Sequence, residues 1–203
     1  MDDPALRRLL AGFRAFRARH CEREAESWER LVREGQRPEV LVVGCSDSRV
    51  DPALLLDARP GELFVVRNVA ALVPPHAPDG AEHGTAAAIE FAVRVLGVRH
   101  AIVLGHGRCA GIAAARQGVP AGCRDYLAPW TRIVADAVAG LEDAAEMERT
   151  GVRRSLENLR TYPWVREAEA AGRLAVHGWR FDLEHGRLEG YDEAAGAFRP
   201  LAP

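Results

Sequence analysis

Two short strings of the sequence, Cys45-Ser46-Asp47-Ser48-Arg49 and His106-Gly107-Arg108-Cys109, bring two thiols and an imidazole to the ends of two apolar runs. Three nitrogen and sulfur ligands with a fourth position left open is the composition of a catalytic zinc site. A structural zinc finger would show two local pairs with all four ligands committed. Here His106-x-x-Cys109 is one local pair, Cys45 must arrive from a separate strand, and the remaining local candidate is the hard carboxylate of Asp47. Alone, Cys45 would read as a small core hydrophobe and His106 as a polar residue satisfied by backbone. Their placement at two strand ends, with Asp47 and Arg49 attached, favours a metal centre with a carboxylate beside it and a guanidinium to hold that carboxylate.

The elements that must position these residues follow from the hydrophobic pattern. Val40–Val43, Leu63–Val66 and Ala101–Leu104 are continuous apolar runs, as expected of buried strands in a parallel sheet, and Leu174–Trp179 reads as a fourth strand. Leu188–Tyr191 reads as a short edge partner. Helical spacing is found over 84–96, 110–116, 129–149 and 152–170, the last interrupted near Tyr162-Pro163. Residues 4–34 carry apolar positions at three-to-four spacing and end at Gly35, so they predict one or two amphipathic helices. This arm reads as a surface helix of its own domain, with packing on a partner subunit as the alternative. Alternation of strands and helices predicts an α/β fold with right-handed crossovers, in which ligands bind beyond the carboxyl ends of the strands. Cys45 and His106 each follow their strand by one glycine and fall on that side.

The 203 residues are expected to form a single domain, 1–203, with an N-terminal helical arm over 1–35 and a metal-binding core over 36–203. A hydrophobic fraction of 48% with 28% charged residues is ordinary for a globular chain. A net charge of −2 gives no basic face for nucleic acid. No apolar stretch is long enough to span a bilayer, and the acidic start MDDPALRRLL lacks a signal-peptide core. A cytoplasmic enzyme is the expectation, in which the other cysteines, Cys21 and Cys123, are free thiols.

The motifs resemble those of the β-class carbonic anhydrases: Gly44-Cys-Ser-Asp-Ser-Arg-Val50, Gly61-Glu-Leu-Phe-Val-Val-Arg-Asn-Val69, Gly105-His-Gly-Arg-Cys109 and His177-Gly-Trp179. The likeness runs from about Gln36 to Phe181. It implies a mostly parallel central sheet of four parallel strands plus an edge strand, flanked by helices, and dimers that can pair into tetramers. It also implies one zinc ion per subunit and reversible hydration of carbon dioxide to bicarbonate by zinc-bound hydroxide. By motif, Cys45, His106 and Cys109 correspond to the zinc ligands and Asp47 with Arg49 to the acidic–basic dyad. Gln36 corresponds to a substrate-donating pocket residue, and Phe64 and Val69 to apolar walls, with Phe91 joining them.

Zinc lowers the pKa of a bound water. Two thiolates cancel the formal charge of the ion, so activity is expected to rise with pH through an ionisation above that of a three-histidine site. Arg67-Asn68 reads either as an organiser of a subunit contact or as a helix cap, and His76 and His83 as surface histidines. Two departures from the family pattern stand out. Ala110 replaces the usual glycine of a Cys-Gly-Gly turn, and Val42 and Phe181 replace the tryptophan and tyrosine of a regulatory bicarbonate site, leaving Arg67 alone. The open form with zinc-bound water is therefore expected. Alternatives are a carbon disulfide or carbonyl sulfide hydrolase of the same fold, a non-catalytic zinc-binding homologue, and a metal-free cysteine hydrolase.

Overall fold

The computed structural model describes residues 3–201, and the chain divides into two units, Met1–Arg37 and Pro38–Pro203. In the first, the Asp3 carboxylate accepts hydrogen bonds from the Ala5 and Leu6 amides and caps α1 (Pro4–Phe16). A π-helical turn over Arg17–Arg23 leads to α2 (Ala25–Glu34), which stops at Gly35 with φ of 75°. No residue of either helix is buried, and Leu6, Leu9, Leu10, Phe13 and Phe16 form an exposed apolar stripe on α1.

The second unit is built on β1 (Val40–Cys45), α3 (Pro52–Leu55), β2 (Leu63–Asn68) and α4 (Gly84–Glu90), which continues as a π-helical segment over Phe91–Leu96. There follow β3 (His100–His106), α5 (Ala110–Gln117), α6 (Leu127–Val138), α7 (Ala144–Leu159), α8 (Pro163–Ala170), β4 (Ala175–Asp182), β5 (Arg187–Asp192) and β6 (Ala197–Pro200). The sheet order is β2-β1-β3-β4-β5-β6; the first four strands are parallel and the last two antiparallel. The two central strands, β1 and β3, are buried on both faces, which is why they read as unbroken apolar runs. Leu41, Val43, Ala101 and Val103 pack under α4, α7 and α8, while Val42, Ile102 and Leu104 form a smaller cluster with Trp179 and Leu188.

Two local features differ from the pattern reading. A sixth strand, β6, extends the expected edge; it is four residues long and ends in Pro200, which an edge position tolerates. The break in the long helical stretch lies at 139–143, where Gly140 has φ of 82° and Asp143 caps α7, and not around residue 150. Gly151 is interior to α7: a methyl group there would lie 2.7 Å from Ile112 Cδ1. It is a contact glycine, indistinguishable by type from a helix breaker.

Glycines also set how closely α7 approaches the sheet. A Cβ on Gly105 of β3 would stand 2.6 Å from Val152, and one on Gly178 of β4 would stand 2.6 Å from Leu156. The glycine of His177-Gly-Trp179 thus lets α7 lie against the strands that carry the candidate site.

Candidate active site

β1 and β3 are hydrogen-bonded neighbours, so their carboxyl ends deliver Cys45 and His106 side by side. After His106 the chain turns through Gly107 and Arg108, the latter left-handed with φ of 57°, and Cys109 opens α5 as its N-terminal flanking residue. One ligand atom each from Cys45, His106 and Cys109 lie within 4.8 Å of one another, and all three residues are buried. These residues are brought together as the spacing predicts.

The donor set fits a zinc ion. The His106 ring engages the Gly107 carbonyl through Nδ1 at 2.8 Å, which fixes the tautomer with Nδ1 protonated and turns the lone pair of Nε2 inward. Nε2 is fully buried and has no hydrogen-bond partner. A buried nitrogen left unpaired is costly, and a cation between this nitrogen and two sulfurs removes that cost. The sulfurs are prepared for the same role. The Cys45 thiol is pulled down to about 4, first by its hydrogen bond with Cys109 and then, against burial, by His106 and the backbone amides of Asp47 and Ala70. Once Cys45 is ionised, Cys109 is pushed up by that neighbouring charge and by burial. Burial lowers the His106 pKa, but the nearby Cys45 sulfur and the Gly107 carbonyl outweigh it, and the net shift is upward. A metal ion replaces this contest over protons with three bonds.

Asp47 stands beside the cluster without joining it. Its Oδ1 accepts from the Arg49 backbone N–H and Nε, both at 3.0 Å, and its Oδ2 accepts from Nη2 at 2.8 Å. The bidentate fork holds the carboxyl well below the usual carboxylate range. Oδ2 lies 4.0 Å from His106 Nε2. Arg49 Nη2 also donates to the Arg108 carbonyl at 3.2 Å, so one guanidinium ties the β1 loop to the β3 turn, and the left-handed φ of Arg108 presents that carbonyl.

Arg67 and Asn68, ambiguous in sequence, have defined work. Arg67 reaches from β2 to the Cys45 carbonyl at 2.9 Å, the Asp47 carbonyl at 2.7 Å and the Asp51 carboxylate at 2.6 Å. Asp51 in turn caps α3. The Asn68 side chain donates to the Leu72 carbonyl and accepts from the Leu72 amide, bracketing Ala70 and Ala71, whose φ values are 68° and 54°. Gly111 packs on this turn: a Cβ there would lie 2.7 Å from Val69 and 2.8 Å from Ala70. Ala110, by contrast, is an ordinary first residue of α5 without positive φ, so replacement of the family glycine is mild.

The pocket residues divide. Val69 follows Asn68, the register partner of Cys45, and its carbonyl accepts from Trp130 Nε1. Phe64 pairs instead with Leu41, four residues back along β1 from Cys45, about 13 Å away at strand rise. It stacks on Phe91 with ring centroids 5.9 Å apart. The structure therefore does not gather Phe64 and Phe91 around the cysteines of their own chain. Gln36 is exposed and belongs to the N-terminal unit. His76 and His83 are exposed, His83 held by Asp79 at 2.7 Å. Val42 is fully buried and Phe181 packs against the cluster around the cysteines, so both substitutes for the regulatory site are apolar filling.

The model of the carbonic anhydrase family matches residues 40–188. A carbonic anhydrase of Pseudomonas aeruginosa is 36% identical, over 97% of this chain and 92% of the relative. Among solved structures, the β-carbonic anhydrase CcaA superposes with a TM-score of 0.85 at 30% identity, covering 99% of this chain and 94% of the other. A structure from a study of two tetrameric β-carbonic anhydrases of the fungus Sordaria macrospora has a TM-score of 0.79 at 29% identity, covering 97% and 100%. The chain belongs to the β-class carbonic anhydrases, a family that uses zinc, and its Cys-His-Cys cluster is the group able to hold that metal.

Proposed function

We propose that this protein catalyses the reversible hydration of carbon dioxide to bicarbonate and a proton, with zinc held by Cys45, His106 and Cys109. The observation that carries the reading is the buried, unpartnered Nε2 of His106 facing two buried sulfurs, beside a carboxylate that is fully engaged by a guanidinium. Zinc bound there supplies Lewis acidity that makes a water molecule acidic enough to lose a proton near neutral pH. Asp47, kept ionised and acceptor-only by Arg49, accepts a hydrogen bond from the attacking water and orients its lone pair. Arg49 keeps both carboxylate oxygens off the metal. Val69 supplies an apolar wall for a substrate that has no charge.

Self-association to a homodimer or tetramer belongs to the same proposal. β2 is an edge strand with Val65 exposed, and Phe91 and Val95 are exposed on the adjoining helical segment. Such a strand invites pairing with another copy, and Phe64 and Phe91 would then wall the partner's pocket. The exposed stripe of α1 supports the reading of the arm as packing on a partner. A cytoplasmic placement is supported by four unpaired cysteines, and no described helix is long and apolar enough to cross a membrane.

The test is metal analysis together with a pH series of hydration. One zinc per chain, with activity climbing into alkaline pH, is the expected result. Zinc without carbon dioxide hydration at any pH, or turnover of carbon disulfide or carbonyl sulfide in its place, would overturn it.

A further inference from the structure

A second charged cluster lies directly behind the His106–Cys109 turn. Arg180 of β4 is 5% exposed, and its register partner on β3 is Gly105, the residue before His106. Because Gly105 carries no side chain, α7 lies close enough to place the buried carboxylate of Glu148 against Arg180. Arg180 donates to Glu148 Oε2 from Nε at 2.9 Å, and Nη2 lies 2.8 Å from the same oxygen. Nη1 reaches Glu189 Oε2 of β5 at 3.4 Å, and Glu189 is itself held by Arg149 at 2.9 Å through two oxygens. Two guanidinium groups and two carboxylates, from one helix and two strands, thus balance to zero charge.

The outer edge of this assembly touches the turn. A Cβ on Gly107 would stand 3.4 Å from Arg180 Nη2 and 3.3 Å from the Leu183 amide, so the turn rests against the guanidinium. The Gly107 amide donates to the Phe181 carbonyl at 2.8 Å, next to Arg180 in the chain, while the Gly107 carbonyl engages His106 Nδ1. Gly107 is therefore pinned from the Arg180 side and in turn fixes the ring that carries the unpartnered Nε2.

We infer that Arg180, locked by Glu148 and Glu189, is a positioning residue for the metal centre, a rigid floor beneath Gly107 that sets the His106 ring. The inference rests on the zinc reading of the site. A guanidinium anchored on carboxylates from two other elements has no freedom to swing, so the turn above it has one resting place. Partners that orient a metal-ligating histidine typically change metal affinity tenfold to a hundredfold when lost.

Removing Arg180 alone would strand the Glu148 charge, so the informative variant replaces both buried partners by apolar residues, Arg180→Met with Glu148→Leu, a change that buried ion pairs generally survive. The thermal midpoint of its metal-free form should stay near that of the wild type. Its zinc dissociation constant, measured by chelator competition, should rise about tenfold. The visible absorption of the cobalt-substituted protein should shift as the ligand ring turns. As a control, Arg160→Met with Glu169→Leu, a partly exposed pair 3.0 Å apart at the C-terminal end of α7, should leave zinc affinity unchanged. If the double variant does not fold, Arg180→Lys decides. It keeps the charge but loses the fork, and about a threefold weakening of zinc binding is expected. Wild-type zinc affinity with an unaltered cobalt spectrum in the variant that folds would overturn the inference. A wild-type protein that binds no zinc would instead bring down the metal centre itself.

Discussion

At the scale of single residues, the site is governed by what each polar atom is already doing. Both oxygens of Asp47 are committed to Arg49, whereas Nε2 of His106 is committed to nothing. Arg49→Ala should therefore retain zinc yet lose about a hundredfold in hydration rate, because the carboxylate that aims the water is set free. Stopped-flow hydration on zinc-replete protein checks this, and undiminished turnover would remove Asp47–Arg49 from the mechanism. The pH dependence has a definite sign. The Asp47 pKa is lowered by Arg49, so its charge and any associated stability are present above the ordinary carboxylate value and lost only as pH falls through the depressed one. Activity between pH 6 and 9 must then titrate on another group, and an activity limb near pH 4 in the wild type that disappears with Asp47→Asn would contradict this.

At the scale of elements, two short pieces of irregular backbone do the positioning. The Ala70–Ala71 turn occupies the left-handed region at two consecutive alanines, which are poorly suited to it. Asn68 holds it by satisfying both the amide and the carbonyl of fully buried Leu72. Asn68→Ala leaves those two backbone groups unpaired, and an equilibrium unfolding series should show a loss of about 2–4 kcal/mol. Weaker zinc binding should accompany it, since Ala70 supplies an amide to the Cys45 sulfur. The edge strand β2 makes a second element-level prediction. Val65→Lys combined with Phe91→Glu, both exposed, should leave the monomer folded but shift light-scattering mass toward a single chain. An unchanged assembly would place the subunit contact elsewhere.

At the scale of the whole molecule, α8 and the loop before α4 are locked together through Tyr162, whose hydroxyl donates to the Pro74 carbonyl at 3.1 Å. Burial pushes the phenol up to about 12 from 10. Between pH 10 and 12 an unfolded chain has released a proton that the folded chain still holds, so stability falls across that window by about 2 kcal/mol. Tyr162→Phe should abolish that part of the slope while costing about 1 kcal/mol at neutral pH for the lost hydrogen bond. Thermal melts across the alkaline range, read as the difference between the two proteins, test this. Parallel slopes would show that the phenol titrates freely.

The nature of the candidate ligands and the architecture of the sheet are readable from residue order alone. The ligand types, their attachment to apolar runs and the Asp-x-Arg spacing are local facts, and buried parallel strands announce themselves as runs of branched apolar residues. The metal set was therefore legible, as were the four parallel strands. Relations between segments far apart in the chain emerge only once the elements are packed. Arg67 reads as an organiser of a subunit contact or part of a helix cap until β2 lies beside β1 and its fork meets the Cys45 and Asp47 carbonyls. Gly151 reads as a breaker until α7 meets Ile112, and Phe64 reads as a pocket wall until the register carries it away from Cys45. Arg180 gives no local signal at all. A charged residue in a strand is ordinary, and its importance arises from a glycine on the neighbouring strand that admits a helix bearing the opposite charge. Periodicity reports which face is buried, but not which buried group touches which, because contacts between elements depend on close packing rather than on spacing along the chain.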